Sequence, residues 1–102
     1  MTFETFKYNV TNWAEERKIY SEGTAEGQLI KLLEEAGEVK DAYYNGSIND
    51  LSLEIGDCYV TLHNLCKMIQ MMPEECMERA WHKIKDRKGE MRNGTFVKES
   101  DL

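Results

Sequence analysis

At 102 residues the chain has the length of one domain, and a chain this short buries only a modest share of its surface when folded alone, so self-association is expected. Its net charge of −6 argues against nonspecific nucleic-acid binding, and with 41% hydrophobic residues in short runs it contains no membrane span. Glu4, Glu15 and Glu16 leave no signal-peptide pattern, and Cys58, Cys66 and Cys76, without CxxC spacing, read as reduced core residues, so a cytoplasmic protein with one domain over residues 1–102 is predicted.

Apolar residues recur at helical spacing along almost every stretch and the only proline is Pro73, which predicts an all-α fold of four helices. The first runs from about Thr2 to about Lys18, with Phe3, Phe6, Val10 and Trp13 on one face. "YSEGTAEG" then reads as a loop. The second helix spans about Glu26 to Tyr44 and stops at Asn45-Gly46, residues tolerant of a left-handed helix end. The third begins near Asn49 or Asp50 and reaches about Met71. Pro73 suits the first position of the fourth, and Glu74 and Glu75 complement its N-terminus. That helix presents Cys76, Met77, Ala80, Trp81 and Ile84 as a buried stripe. Beyond Gly89 an extended or loosely ordered tail is expected. Charge is unevenly spread: no lysine or arginine lies between Asp41 and Cys66, whereas from Lys83 to Lys98 the six basic residues Lys83, Lys85, Arg87, Lys88, Arg92 and Lys98 face only Asp86 and Glu90.

The acidic residues fall on narrow stripes. Successive helical residues turn by about 100°, so with Lys31 as zero Glu35 lies at about 40°, Glu38 at about 340° and Glu34 to the side at about 300°. On the third helix, with Glu54 as zero, Asp57 lies at about 300° and Thr61 at about 340°. Apolar residues flank both stripes: Leu32, Val39 and Tyr43 against Ile30 and Leu33 on one helix, Ile55, Cys58 and Leu62 against Leu53 and Val60 on the other. Packing those flanks draws the carboxylates toward a bundle interior, where they are costly unless a cation joins them. A solvated face is the bland alternative, but Glu34 with Glu38 and Glu54 with Asp57 set like charges one turn apart. Oxygen-only ligands suit Mg²⁺ or Mn²⁺ and disfavour zinc. A di-iron bundle needs Glu-x-x-His pairs, and His63 falls about 180° from Glu54.

Glu34-Glu35-x-x-Glu38, fifteen residues, then Glu54-x-x-Asp57 resembles the motif of the MazG-like nucleotide pyrophosphohydrolases, the all-α NTP pyrophosphatase superfamily. "QLIKLLEEAGEVKDA" is similar to the family's approach to that motif, "WAEERKI" to its first helix, and "KIKDRKGEMRNGTFVKE" to the ending of short single-domain bacterial and phage members. The resemblance implies a four-helix MazG-like bundle with an extended C-terminal tail. It also implies Mg²⁺-dependent hydrolysis of nucleoside triphosphates, deoxy or non-canonical ones included, to the monophosphate and pyrophosphate. By this likeness Glu35, Glu38, Glu54 and Asp57 are the metal ligands, and Glu34 joins Glu35 and Glu38 in the catalytic group by orienting or deprotonating water.

Charge arithmetic is consistent with that chemistry. Four carboxylates facing a triphosphate gather about eight negative charges, which calls for two or more divalent ions and several basic side chains. Lys31, Lys85, Arg87 and Lys98 are the phosphate-binding candidates. Trp13 is a candidate to stack on a base and Gln28 to read its edge, although an apolar-face tryptophan is also a common core residue. A homodimer or a dimer-of-dimers tetramer is expected, with a nucleotide substrate and neither nucleic acid nor membrane as partner. The alternatives are a non-catalytic helical interaction module with a cation-binding acidic face, and a dUTP- or dCTP-selective or phosphoribosyl-ATP pyrophosphatase of the same superfamily.

Overall fold

The computed structural model describes the whole chain, Met1–Leu102. Thr2 opens helix α1, Phe3–Glu16, by accepting the Thr5 N–H at 3.0 Å. Lys18, in the left-handed region with φ 62°, turns the chain into a one-turn helix, α2, Ile19–Glu22. The expected loop over 20–27 is therefore partly helical, since four residues are too few for periodicity to register. Thr24 caps α3, Ala25–Asn45, through the Gly27 N–H.

Gly46 and Ser47 alone separate α3 from α4, Ile48–Met68. Ser47 Oγ accepts the Asp50 N–H at 3.1 Å while Asp50 Oδ2 accepts the Ser47 N–H at 3.0 Å, a reciprocal cap. This cap starts α4 slightly before the expected Asn49 or Asp50. The helix also ends before the expected Met71, because Gln70 adopts φ 60° on the way to α5, Pro73–Ile84. The tail is an ordered hairpin: β1, Gly89–Arg92, pairs antiparallel with β2, Thr95–Lys98, around Asn93-Gly94. Both turn residues have positive φ, 51° and 87°, as a two-residue turn of this handedness requires. Gly89 is needed for close approach, because a Cβ there would run into the Val97 carbonyl. A 3₁₀ turn, Glu99–Asp101, ends the chain.

The fold is thus all-α, with the hairpin a minor addition. α3 and α4 form the dominant antiparallel pair, α1 lies across α4 with α2 beside it, and α5 meets α4. The Lys7 ammonium sits between Glu4 and Glu74, tying α1 to the start of α5. No helix is long and apolar enough to cross a membrane.

Few apolar side chains are covered within the protomer. Val10 and Ala14 are the buried ones, and the other buried residues are polar: Glu35, Thr61, His63 and Asn64. The stripe expected to be buried on the last helix is instead largely open, with Met77, Trp81 and Ile84 exposed because no element of the same chain packs over them. Leu29, Ile30 and Leu33 of α3 are exposed in the same way.

Candidate metal centre

The α3–α4 pairing brings together the two acidic stripes. Glu35 and Glu38 of α3 and Glu54 and Asp57 of α4 each place one carboxylate oxygen so that all four lie within 4.8 Å of one another. The spacing is a direct product of helix geometry: i,i+3 residues stack on one face, and two such pairs on facing helices make a four-cornered group. Burial is graded across it. Glu35 is 5% exposed and Glu54 is half-buried, whereas Glu38 and Asp57 open to solvent.

The electrostatics of the group are unbalanced. Glu35 Oε2 and Glu54 Oε2 are buried without any hydrogen-bond partner, an arrangement that is costly for carboxylate oxygens. Glu54 beside Glu38, and then Glu35, hold the Glu38 carboxyl above the ordinary carboxylate range. The one cation in contact is Lys31, whose ammonium lies 3.1 Å from Glu35 Oε1 and 3.9 Å from Glu34. Its bond to Glu35 raises the lysine above its ordinary value. On α4, burial and then the neighbouring carboxylates push the Cys58 thiol up, so this half-buried cysteine remains a protonated thiol at the back of the cluster.

A set of four carboxylates, two of which carry a buried unpartnered oxygen, fits a divalent cation such as Mg²⁺ or Mn²⁺ and offers zinc neither nitrogen nor sulfur. His63 is far from this role. It is 4% exposed on another face of α4, 2.8 Å from Thr11 Oγ1 and edge-on to Phe6.

The remaining candidates separate into two groups. Glu34 is exposed outside the four-oxygen group, at its rim beside Lys31. Trp13, Gln28 and Lys31 line one cavity of about 400 Å³, bordered by α1, α2, α3 and α4. Trp13 is not a core residue: its ring is partly exposed, with the Arg17 guanidinium 4.7 Å above it. Lys85, Arg87 and Lys98 lie beyond α5 and on the hairpin, without an ion pair to the cluster; Lys98 faces Asp101 instead. The same cavity holds Thr61, which the sequence places on the acidic stripe without assigning it a role, and Asn64, which sequence reasoning missed. Asn64 falls at about 280° on the wheel that places Asp57 at about 300°, so following the acidic stripe about two more turns along the helix leads to it.

Comparison with known proteins agrees with this geometry. A family model, the MazG nucleotide pyrophosphohydrolase domain, matches residues 24–91, which take in the whole α3–α4 pair and α5. Over 59 residues the chain is 36% identical to an uncharacterized 18.2 kDa protein in the rep-hol intergenic region of Haemophilus phage HP1 (strain HP1c1), covering 58% of this chain but 36% of that protein. No solved structure matches. With the model spanning well over half of the sequence and all four clustered carboxylates inside it, the chain belongs to the MazG nucleotide pyrophosphohydrolase family.

Proposed function

We propose that the protein hydrolyses nucleoside triphosphates to the monophosphate and pyrophosphate with Mg²⁺ or Mn²⁺, two or more ions being held by Glu35, Glu38, Glu54 and Asp57. The observation that carries this reading is the convergence of four carboxylate oxygens, with buried unpartnered oxygens on Glu35 and Glu54, in a chain of this family. Bound there, divalent ions supply charge neutralisation and Lewis acidity toward phosphoryl oxygens. The side chains do the rest. Glu34, at the rim, orients a water and takes its proton as the water oxygen bonds to the α-phosphorus and the bond from that phosphorus to the departing pyrophosphate oxygen breaks. Glu35 and Glu38, one turn apart on a long helix, keep the reacting phosphate in register with that water.

Lys31, which touches Glu35 and lines the cavity, is assigned to a phosphate oxygen. Lys85, Arg87 and Lys98 are assigned to the outer phosphates on the strength of their charge, which the acidic cluster cannot supply. Trp13 and Gln28 border the space left for the base. The working form is proposed to be a homodimer, which the exposed apolar faces of α3 and α5 favour, with pairing of dimers giving a tetramer.

The experiment is a nucleotide panel, canonical, deoxy and modified, with pyrophosphate release read at saturating Mg²⁺ and in chelator. Metal-dependent release from at least one triphosphate is expected. Cation binding without release from any of them would leave a non-catalytic helical module with an acidic face.

A further inference from the structure

Two of the three cysteines stand against each other. Cys66, near the end of α4, and Cys76, in the first turn of α5, bring their Sγ atoms to 3.9 Å across a sequence separation of 10. Cys58 makes no sulfur contact. The link between the pair is constrained: Gln70 turns it in the left-handed region at φ 60°, and Pro73 occupies the first position of α5. The corner between α4 and α5 therefore sets the two thiols side by side.

Their surroundings differ. Both border a mostly apolar cavity of about 150 Å³ whose wall includes Phe3, Phe6 and Leu62. Cys76, but not Cys66, also borders a second, open cavity of about 780 Å³ shared with Arg79 and Lys83. Neither of those cations is in an ion pair. Burial, then Cys76 beside it, push the Cys66 thiol up to about 11, so at neutral pH it keeps its proton. On the wheel that sets Glu54 at zero Cys66 falls at about 120°, away from the acidic stripe.

We propose that Cys66 and Cys76 form a reversible disulfide, with an anionic low-molecular-weight disulfide as oxidant and Cys76 as the thiol that meets it. The proposal is independent of the nucleotide chemistry at the acidic cluster. In the first step the Cys76 sulfur bonds to one sulfur of the small disulfide, whose S–S bond breaks; the departing thiolate takes up the Cys76 proton. Arg79 and Lys83 draw the anionic reagent to that side. In the second step the Cys66 sulfur attacks the Cys76 sulfur, the mixed disulfide breaks, and a second small thiol leaves with the Cys66 proton. Two protein thiols are oxidised and one small disulfide is reduced to two thiols. The sulfurs close from 3.9 Å to the roughly 2.05 Å of an S–S bond, and the apolar cavity they share leaves room for the side chains to turn. In the reduced protein α5 is held by its packing on α4 and by the Lys7–Glu74 pair; the disulfide adds a covalent tie.

The test incubates the folded protein with oxidised glutathione, quenches the free thiols, and maps links and adducts by peptide mass spectrometry. Wild type should give an intramolecular Cys66–Cys76 link that dithiothreitol reverses, preceded by a transient glutathione adduct on Cys76. Cys66→Ser should stop at that adduct, and Cys76→Ser should leave Cys66 unmodified over the same time. Reversing the charges by Arg79→Glu with Lys83→Glu should slow the reaction with oxidised glutathione but not with the neutral 2-hydroxyethyl disulfide. Against a reduced-to-oxidised glutathione series, the link should be favoured at least about tenfold more in the native protein than in urea, because a bond that stabilises the fold is stabilised by it in return. The oxidised form should accordingly melt higher, by on the order of 10 °C, with the Mg²⁺-induced shift in Tm unchanged. Links between chains or to Cys58, an adduct that forms first on Cys66, or a link no more favourable in the native protein than in urea would overturn the proposal. An oxidised form that melts no higher than the reduced one would do the same.

Discussion

Leu33→Asp should break the proposed dimer, and the size of the effect can be worked from the exposed surface. The protomer exposes 7884 Å², whereas the scaling of surface with mass gives about 5,900 Å² for a folded 11.9 kDa monomer. Its radius of gyration, 16.2 Å, exceeds the roughly 12.8 Å expected at this length. The surplus, about 1,900 Å² per protomer, lies in the range that obligate homodimers cover. Leu33 is 75% exposed and stands with Leu29 and Ile30 on the side of α3 turned away from the acidic stripe. On that same open side a Cβ at Gly37 would meet nothing within 4 Å. Burying a leucine contributes about 1.5–3 kcal/mol, and a two-fold interface contains each substitution twice. Losing both should weaken association by roughly 3–6 kcal/mol, about 10²- to 10⁴-fold in Kd, before any cost of burying the new carboxylates. Sedimentation equilibrium from 1 to 100 µM, with thermal melts at both ends, reads this out. A wild-type chain that sediments as an 11.9 kDa monomer throughout, with a melting temperature independent of concentration, would refute the reasoning.

Glu38→Gln or Asp57→Asn should abolish pyrophosphate release and blunt the stabilisation by Mg²⁺, which in wild type at about a hundred times Kd is roughly 2.7 kcal/mol, on the order of 10 °C in Tm. In metal-free wild type the raised Glu38 carboxyl disfavours the fold at neutral pH; the deficit shrinks as pH falls through the raised folded value and is gone below the ordinary 4.5. A metal-free melting temperature that drops across that interval, and does so equally in Glu38→Gln, would contradict this. Truncation after Lys88 removes a hairpin that pairs with itself and the final 3₁₀ turn, so the helical circular dichroism should persist while KM for the triphosphate rises or turnover is lost; full activity would strike Lys98 from the phosphate contacts. Burial, with Cys76 beside it, pushes the Cys66 thiol up to about 11, so iodoacetamide at pH 8 should label it far more slowly than a model thiol, as mass spectrometry can follow.

The acidic cluster was legible because two facts suffice for it: a helix repeats every 3.6 residues, and a short link makes its neighbours antiparallel. Glu35, Glu38, Glu54 and Asp57 needed nothing from the rest of the chain. The wall of the neighbouring cavity was less legible, since Asn64 is held by Tyr20, which sits on a one-turn helix set off by a left-handed Lys18. The hairpin carried a usable signal in Asn93-Gly94, passed over because the strands beside it are only four residues long. Burial on α5 was misjudged for a different reason. An amphipathic pattern states that a face seeks cover, not whether the cover comes from the same chain, and Met77, Trp81 and Ile84 remain open within the protomer.

The two-residue link between α3 and α4 also bears on the order of events during folding. Closing so short a loop takes well under a microsecond, and the contacts it permits are local, whereas α1 must find α4 across some fifty residues of chain. The helical hairpin is therefore the natural nucleus, with its reciprocal Ser47–Asp50 cap fixing the register early. All four clustered carboxylates belong to that nucleus, so in chelator their repulsion opposes the rate-limiting encounter itself, and a divalent ion should accelerate refolding more than it slows unfolding. Stopped-flow refolding at fixed protein concentration, with and without Mg²⁺, separates the two limbs: an ion effect confined to the unfolding rate would mean that the carboxylates converge only after the transition state, once α1 has docked.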